Sequence, residues 1–352
     1  MAAWAVLLGC LLALTLVALP ASSAIAGERE ADPLTTGPIP PQPGAGPVPD
    51  RVLEGRPRAL LGASAASDFS VYPDGDGHFV NVRVSSGYSN PEGAAQDLVD
   101  FLGGLLHGDE MNRLSVFLAT PSEIRHECGA AALACYYPSG DQMVVSGEDS
   151  GPGQPPRELV ITHEYGHHVA ENRNNAPWSA LDRGTKRWSS YEGICRRIER
   201  RTIRPSRYFQ NPGEAFAEAF AFYHYPDVYK WEWRIARPDA GAFAAIYDDV
   251  TLPWSGRTPT EWSGSLDGTV RRQATRLGTP LDGRLKVTLD GPAGAEFDLL
   301  VVAGNGGRVL KRATAIGADE TLFYTLCGRR AVRIVVRGGA GAGAFEVTAA
   351  RP

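Results

Sequence analysis

The reading of this chain turns on Leu159-Val160-Ile161-Thr162-His163-Glu164-Tyr165-Gly166-His167-His168-Val169. An apolar run of helical length leads into His163 and His167, which stand four residues apart. That spacing puts both imidazoles on one helix face, where their nitrogens can reach one Zn2+ at about 2.0–2.1 Å. Glu164, turned about 100° from His163, can meet a water beside such an ion and act on it as general base. Gly166 is small enough to let another segment come close. His168 falls one residue too far round to join the pair and is read as a surface side chain or a support for the ligands.

A hydrolytic zinc site needs a third protein donor and an open position. The best source is Asn211-Pro212-Gly213-Glu214-Ala215-Phe216-Ala217-Glu218-Ala219-Phe220-Ala221, which sets Glu214 and Glu218 one turn apart on an Ala/Phe helix. Buried carboxylates on such a helix are costly unless a cation or donor satisfies them. Glu214 has a second reading, since Asn211 and Glu214 also fit a capping box. Glu218 has none. The pair makes sense if the first binds the metal and the second hydrogen-bonds the free nitrogen of a ligating histidine.

These two segments, with Glu214 47 residues after His167, resemble the gluzincin metallopeptidases, and in particular the catalytic domain of anthrax lethal factor and its relatives. The resemblance spans residues 159–222. It implies His163, His167 and Glu214 as ligands, Glu164 as base and Glu218 behind a ligand. It also implies a tyrosine shortly before Glu214 that stabilises the oxyanion of the tetrahedral intermediate. Tyr208 is the nearest counterpart, one residue short of the family's spacing, with Tyr191 and Tyr223 as rivals.

The rest of the chain supplies the setting. It has 352 residues, 40 acidic against 35 basic side chains, a net charge of −5, 40 Gly, 26 Pro and 5 Cys. Such a composition excludes a nucleic-acid binder by charge, a collagen, a small disulfide scaffold and a polytopic membrane protein. Ala5 to Leu19 form an apolar run ending in Pro20 and in Ala24-Ile25-Ala26, which predicts a secretory signal over 1–26, with no stable membrane span after its cleavage. Of the five cysteines, Cys128, Cys135, Cys195 and Cys327 remain, an even count that in an exported chain reads as disulfides. Cys128 with Cys135 closes the shortest loop; Cys195 with Cys327 is the corollary, and two free buried thiols are the alternative.

The expected organisation is α+β. After the signal, residues 27–67 form a proline-rich linker or propeptide remnant, with eight prolines between Pro33 and Pro57. Residues 68–263 form a zincin-type domain with a small mixed sheet, the HExxH helix and a helical lower lobe. Strands are expected at 78–85, 114–119 and 143–146, a helix opening at Asn90-Pro91-Glu92, and helices around 157–173, 176–184, 190–200 and 211–224. Gln142 to Ser146 is expected to offer an open edge to an extended peptide, and Tyr136 and Tyr137 either line the cleft or pack. Residues 264–352 read as an all-β sandwich, with strands at 285–289, 297–302, 322–326, 332–336 and 345–348, and resemble a bacterial prepeptidase carboxy-terminal domain. The function expected is a secreted or envelope-exterior zinc metalloendopeptidase that hydrolyses protein or peptide bonds through a metal-activated water. The alternative is a non-catalytic binding protein with a structural or vestigial zinc site.

Overall fold

The structure, a computed structural model, describes residues 29–55, 69–256, 258–305 and 307–352. The signal expected at 1–26 and the arm from residue 56 onward lie outside the described residues. The strands β1 (Ser70–Pro73) and β2 (Phe79–Val84) form an antiparallel pair. Asn90 then caps α1 (Pro91–Gly103): its Oδ1 accepts from the Gly93 N–H at 3.1 Å, and Pro91 opens the first turn, where its missing N–H has no helical partner to lose. Next come β3 (Ser115–Ala119), α2 (Pro121–Glu127), β4 (Cys135–Tyr137) and β5 (Gln142–Ser146).

The five strands make one mixed sheet in the order β1-β2-β3-β5-β4. The three inner strands run parallel, and both edge strands are antiparallel to their neighbours. Residues 142–146 are therefore not the open edge expected of them. Val144 pairs with Phe117 on one side and with Cys135 on the other. The reason is local, because the Pro138–Gly140 turn, with Asp141 in the left-handed region at φ 48°, folds residues 135–137 back alongside β5. A disulfide from Cys128 to Cys135 ties this returning edge to the end of α2.

Beyond the sheet come α3 (Arg157–Glu171), the two-residue strands β6 (Asn174–Asn175) and β7 (Trp178–Ser179), α4 (Ala180–Arg183), α5 (Lys186–Tyr191), α6 (Ile194–Glu199), α7 (Pro212–His224) and α8 (Ala240–Thr251). The helix expected over 190–200 is broken at Gly193, which takes φ 65°, a conformation cheap only without a Cβ. Residues 157–170 of α3 and 212–222 of α7 are all buried. The two helices cross at Gly166, where a Cβ would stand 2.8 Å from the Ala217 Cα. Phe216 and Phe220 are fully buried around this crossing, each contributing about 2–3 kcal/mol of apolar burial.

From Thr258 the chain is β only. β8 (Thr258–Leu266), β9 (Arg272–Gly278), β10 (Gly283–Asp290), β11 (Glu296–Ala303), β12 (Val309–Ala313), β13 (Glu320–Leu326), β14 (Ala331–Ala340) and β15 (Gly343–Arg351) form two four-stranded antiparallel sheets. Their orders are β13-β10-β15-β8 and β12-β11-β14-β9. β10 shows why: Leu285, Val287 and Leu289 alternate inward with polar residues between them. A second disulfide, Cys195–Cys327, joins α6 to the residue after β13. Beside it, Arg330 Nη2 donates to the Ser190 carbonyl at 2.7 Å, and the Asp282 N–H donates to Ser190 Oγ at 2.9 Å. The molecule is thus a mixed α+β region bonded to a β-rich carboxy-terminal region. Among the described residues no helix is long and apolar enough to cross a membrane. The two disulfides are compatible with an extracellular protein.

Candidate metal centre

The crossing of α3 and α7 brings distant carboxylates onto the two histidines of one helix turn. Glu214 Oε2 lies 3.3 Å from His167 Nε2 and 3.7 Å from His163 Nε2. A further carboxylate completes the group: Asp50 Oδ2, from the proline-rich arm, lies 3.2 Å from His167 Nε2 and 3.6 Å from His163 Nε2. Four donors bound at about 2.0–2.2 Å to one tetrahedral ion must stand about 3.3–3.6 Å apart. The four carboxylate-to-imidazole distances, 3.2–3.7 Å, lie close to that spacing, and Asp50, His163, His167 and Glu214 are all buried and can hold a metal ion.

Three observations mark the group as more than a hydrogen-bonded cluster. His163 Nε2 and Glu214 Oε2 have no hydrogen-bond partner among the described residues. Neither oxygen of Glu164, which is fully buried in the turn between the histidines, has a partner either. Glu218 Oε2 accepts from His163 Nδ1 at 2.7 Å, which orients the ring so that Nε2 faces the other donors. Glu214 therefore turns toward the histidines, while Asn211 caps α7 through the Gly213 N–H at 2.9 Å.

The electrostatics follow from four carboxylates packed around two imidazoles. Burial alone would lower His163; Asp50, Glu214 and Glu218 outweigh it and hold the ring well above its ordinary value. His167 is pushed up to about 9 against its burial, by Glu214 and Asp50. Burial would raise the Asp50 carboxyl, yet the two rings pull it far below the usual carboxylate range. Glu164 moves up through burial and the Asp50 charge, and Glu218 moves up through burial. Protonated rings are one way to balance Asp50 and Glu214. A divalent cation does the same with the rings neutral and their lone pairs engaged.

Tyr208, from a single turn at Tyr208–Gln210, reaches the group through Asp50. Its hydroxyl donates to Asp50 Oδ1 at 2.9 Å and also contacts the Val48 carbonyl. The rival tyrosines lie elsewhere. The Tyr191 hydroxyl is bonded to Asp239, and the Tyr223 ring packs on His224 and Phe243. His168 is not a surface residue: it is fully buried, with Nε2 donating to the Glu110 carbonyl at 2.9 Å and Nδ1 accepting from Tyr136 at 3.1 Å. Tyr136 and Tyr137 are both buried and pack.

Two residues of this neighbourhood had no sequence signal. Asp50 stands 117 positions before His167, in a segment whose composition says only that it is extended. Glu110 accepts from Arg173 Nη2 at 2.6 Å and from the Tyr165 hydroxyl at 3.0 Å, locking the back of α3.

No protein-family model matches the chain, and no curated protein matches it. Among solved structures it is similar to the pre-peptidase C-terminal domain of a collagenase from Bacillus anthracis, at 13% identity over 26% of this chain and 87% of that one, with a TM-score of 0.23. It is also similar to PliG, a periplasmic inhibitor of g-type lysozyme from Aeromonas hydrophila, at 11% identity over 27% of this chain and 87% of that one, with a TM-score of 0.21. A third likeness is to YomS, a protein derived from the SPBc2 prophage, at 12% identity over 26% of this chain and 95% of that one, with a TM-score of 0.19.

Proposed function

We propose that the chain is a secreted, gluzincin-type zinc metalloendopeptidase. The observation that carries this reading is Glu164, a buried carboxylate with both oxygens unbonded among the described residues, beside the donor set His163, His167 and Glu214. Two imidazoles and one carboxylate suit zinc and are the ligand set of a catalytic rather than a purely structural zinc site. The chemistry zinc supplies in such a site is the acidification of water and the polarisation of a carbonyl.

The chain's own residues then divide the work. Glu164 takes the proton of the attacking water and returns it to the leaving amine. Glu218 holds the His163 ring in the tautomer and orientation that leave Nε2 free, through the 2.7 Å contact at Nδ1. The Tyr208 hydroxyl is a donor that can serve the developing oxyanion once it is released from Asp50. A non-catalytic metal-holding protein would need the same ligands, but Glu164, which holds nothing, would have no task in it.

The test is metal analysis together with a peptide-library digest. The wild-type chain is expected to hold one zinc. Glu214→Ala is expected to lose it, and Glu164→Gln to keep it while cleavage, whatever its resting rate, falls ~10²–10⁴-fold. A chain without stoichiometric zinc, or a Glu164→Gln variant that cleaves at the wild-type rate, ends this reading.

A further inference from the structure

His163 and Glu164 are fully buried and His167 is 1% exposed, so no peptide can reach them in the conformation described. Directly against the two imidazoles lies the segment around Asp50. Val48 is itself fully buried, and from Pro49 to Leu53 the backbone runs along the edge strand β4 and the residues leading into it. Leu133 N–H donates to the Pro49 carbonyl at 2.7 Å, Tyr136 N–H to the Arg51 carbonyl at 3.0 Å, and Leu53 N–H to the Tyr136 carbonyl at 2.9 Å. This is the hydrogen-bond alternation of a parallel strand pair, centred on Val52 opposite Tyr136. The edge that an extended peptide would use is thereby taken.

We infer that the arm is a built-in inhibitor, and that Asp50 is a fourth metal ligand which closes the site. The inference rests on the peptidase reading for its biological sense, but it makes its own structural claim. Three things a substrate needs are held by one short stretch. Asp50 Oδ2 stands among the donors at 3.2 Å and 3.6 Å from the two histidines, in the position a catalytic site leaves open. Asp50 Oδ1 and the Val48 carbonyl hold the Tyr208 hydroxyl, the candidate oxyanion donor. The 49–53 backbone holds the sheet edge. A cavity of about 510 Å³ flanks this stretch, lined by Asp50, Arg51, Ala131, Ala132 and Tyr208.

The arm is also built as something that can leave. Residues 30–50 contain no helix or strand. They are held by single hydrogen bonds, such as the Asp149 N–H to Asp32 Oδ2 at 2.9 Å, the Tyr225 hydroxyl to the Thr35 carbonyl at 3.2 Å and the Gln42 N–H to the Val228 carbonyl at 2.8 Å, and by Leu34, Ile39, Ala45 and Val48 packing on the core. An extended strap can be withdrawn without dismantling a helix or the inner sheet. A permanent structural ligand would more naturally come from α3 or α7, as the other three do.

The experiment uses the full chain loaded with Co2+, whose visible absorption reports its ligands, and acetohydroxamate as a small metal-seeking probe. Asp50→Asn keeps the shape of the side chain, and near-ultraviolet circular dichroism with a thermal melt verifies its fold; Asp50→Ala is the second variant. The expected result is an altered Co2+ spectrum in both variants and probe binding at concentrations at least ~10-fold lower than in the wild type, because the competent site is no longer masked. Casein cleavage is expected to rise in parallel and to be abolished by adding Glu164→Gln. Identical spectra and identical probe midpoints in wild type and variants overturn the inference, and if cleavage still depends on Glu164 the peptidase reading survives that failure. Altered spectra and tighter probe binding without cleavage in any form support Asp50 as ligand and sink the peptidase reading. A chain that takes up no metal overturns both.

Discussion

Among the described residues two groups of histidine and carboxylate have donor atoms close enough to share an ion: Asp50, His163, His167 and Glu214 at the helix crossing, and Asp74, His78 and His107 beside the β1–β2 turn. In the second group both Asp74 oxygens are satisfied by neighbours, and the one buried atom left without a partner among the described residues, His107 Nδ1, is not the nitrogen that approaches Asp74. Asp74 Oδ1 accepts from the Asp76 and His78 N–H groups at 2.9 and 2.8 Å, and Oδ2 accepts from His78 Nδ1 at 3.0 Å. His107 Nε2, the nitrogen that approaches Asp74, donates instead to the Gly103 carbonyl at 3.2 Å and stays 4.0 Å from the carboxylate. In the first group Glu214 Oε2 and His163 Nε2 face each other without a hydrogen bond. Proximity of donors is thus common to a hydrogen-bonded turn and to a metal centre. What sets the helix-crossing group apart is that two unpartnered atoms from different residues, His163 Nε2 and Glu214 Oε2, are aimed at each other.

The largest expected effect tests that distinction at the centre itself. His163→Ala removes a donor and is expected to abolish stoichiometric metal, read by competition with a chromogenic chelator. Glu218→Ala removes only the group behind the donor, and metal affinity is expected to fall ~10–100-fold. If Glu218→Ala binds metal as tightly as the wild type, the 2.7 Å contact does not orient the ring, and the two histidine groups are less different than their geometry says.

How much of this was legible in the sequence depends on how far apart the partners lie. His163, Glu164 and His167 sit within one helical turn, so their relation is a matter of period alone. Glu214 and Glu218 were legible because carboxylates on an Ala/Phe helix conflict with burial, and the conflict itself is the signal. Asp50 carried no such conflict: one acidic residue after Pro47 and Pro49 is ordinary in an extended arm, and its burial exists only after the arm has docked. The sandwich strands were legible from alternation, whereas the edge of the mixed sheet was not. β4 is three residues long, and a turn through Asp141 decides which side of β5 it covers. Pairing order is a tertiary outcome that period-2 patterning cannot encode.

A third kind of histidine sharpens the comparison through pH. His224 is half-buried with no carboxylate beside it, accepts the Leu106 N–H at Nε2 (3.1 Å), and is pushed down by burial to about 4. A histidine whose folded value lies below its unfolded value of about 6.5 stabilises the fold above that value and loses the contribution as pH falls toward 4. Urea unfolding is expected to show a loss of about 1–2 kcal/mol between pH 7 and pH 5 from this group, softened because the ring keeps some contact with water. His224→Gln, which can still accept the Leu106 N–H, is expected to flatten that slope. An unchanged slope would mean that the ring takes up its proton in the folded state as easily as in the unfolded one.

The smallest expected effect falls on the second group, and a null result there is the informative one. Asp74 has its carboxyl held below the usual range, since the hydrogen bonds from the His78 and Asp76 N–H groups and from the His78 ring outweigh burial. Its contribution to stability is present above the unfolded carboxylate value and is lost as pH falls through the folded one. His78→Ala removes one of those hydrogen bonds and is expected to cost about 1 kcal/mol at neutral pH. The metal content is expected to stay at one ion per chain in His78→Ala and in His107→Ala alike, because Asp74 Oδ1 keeps its backbone donors and each variant leaves at most one histidine beside the carboxylate. A second equivalent of metal in the wild type that disappears in His78→Ala would show that a satisfied Asp–His turn can open to a cation, and hydrogen-bond satisfaction would then no longer separate the two groups.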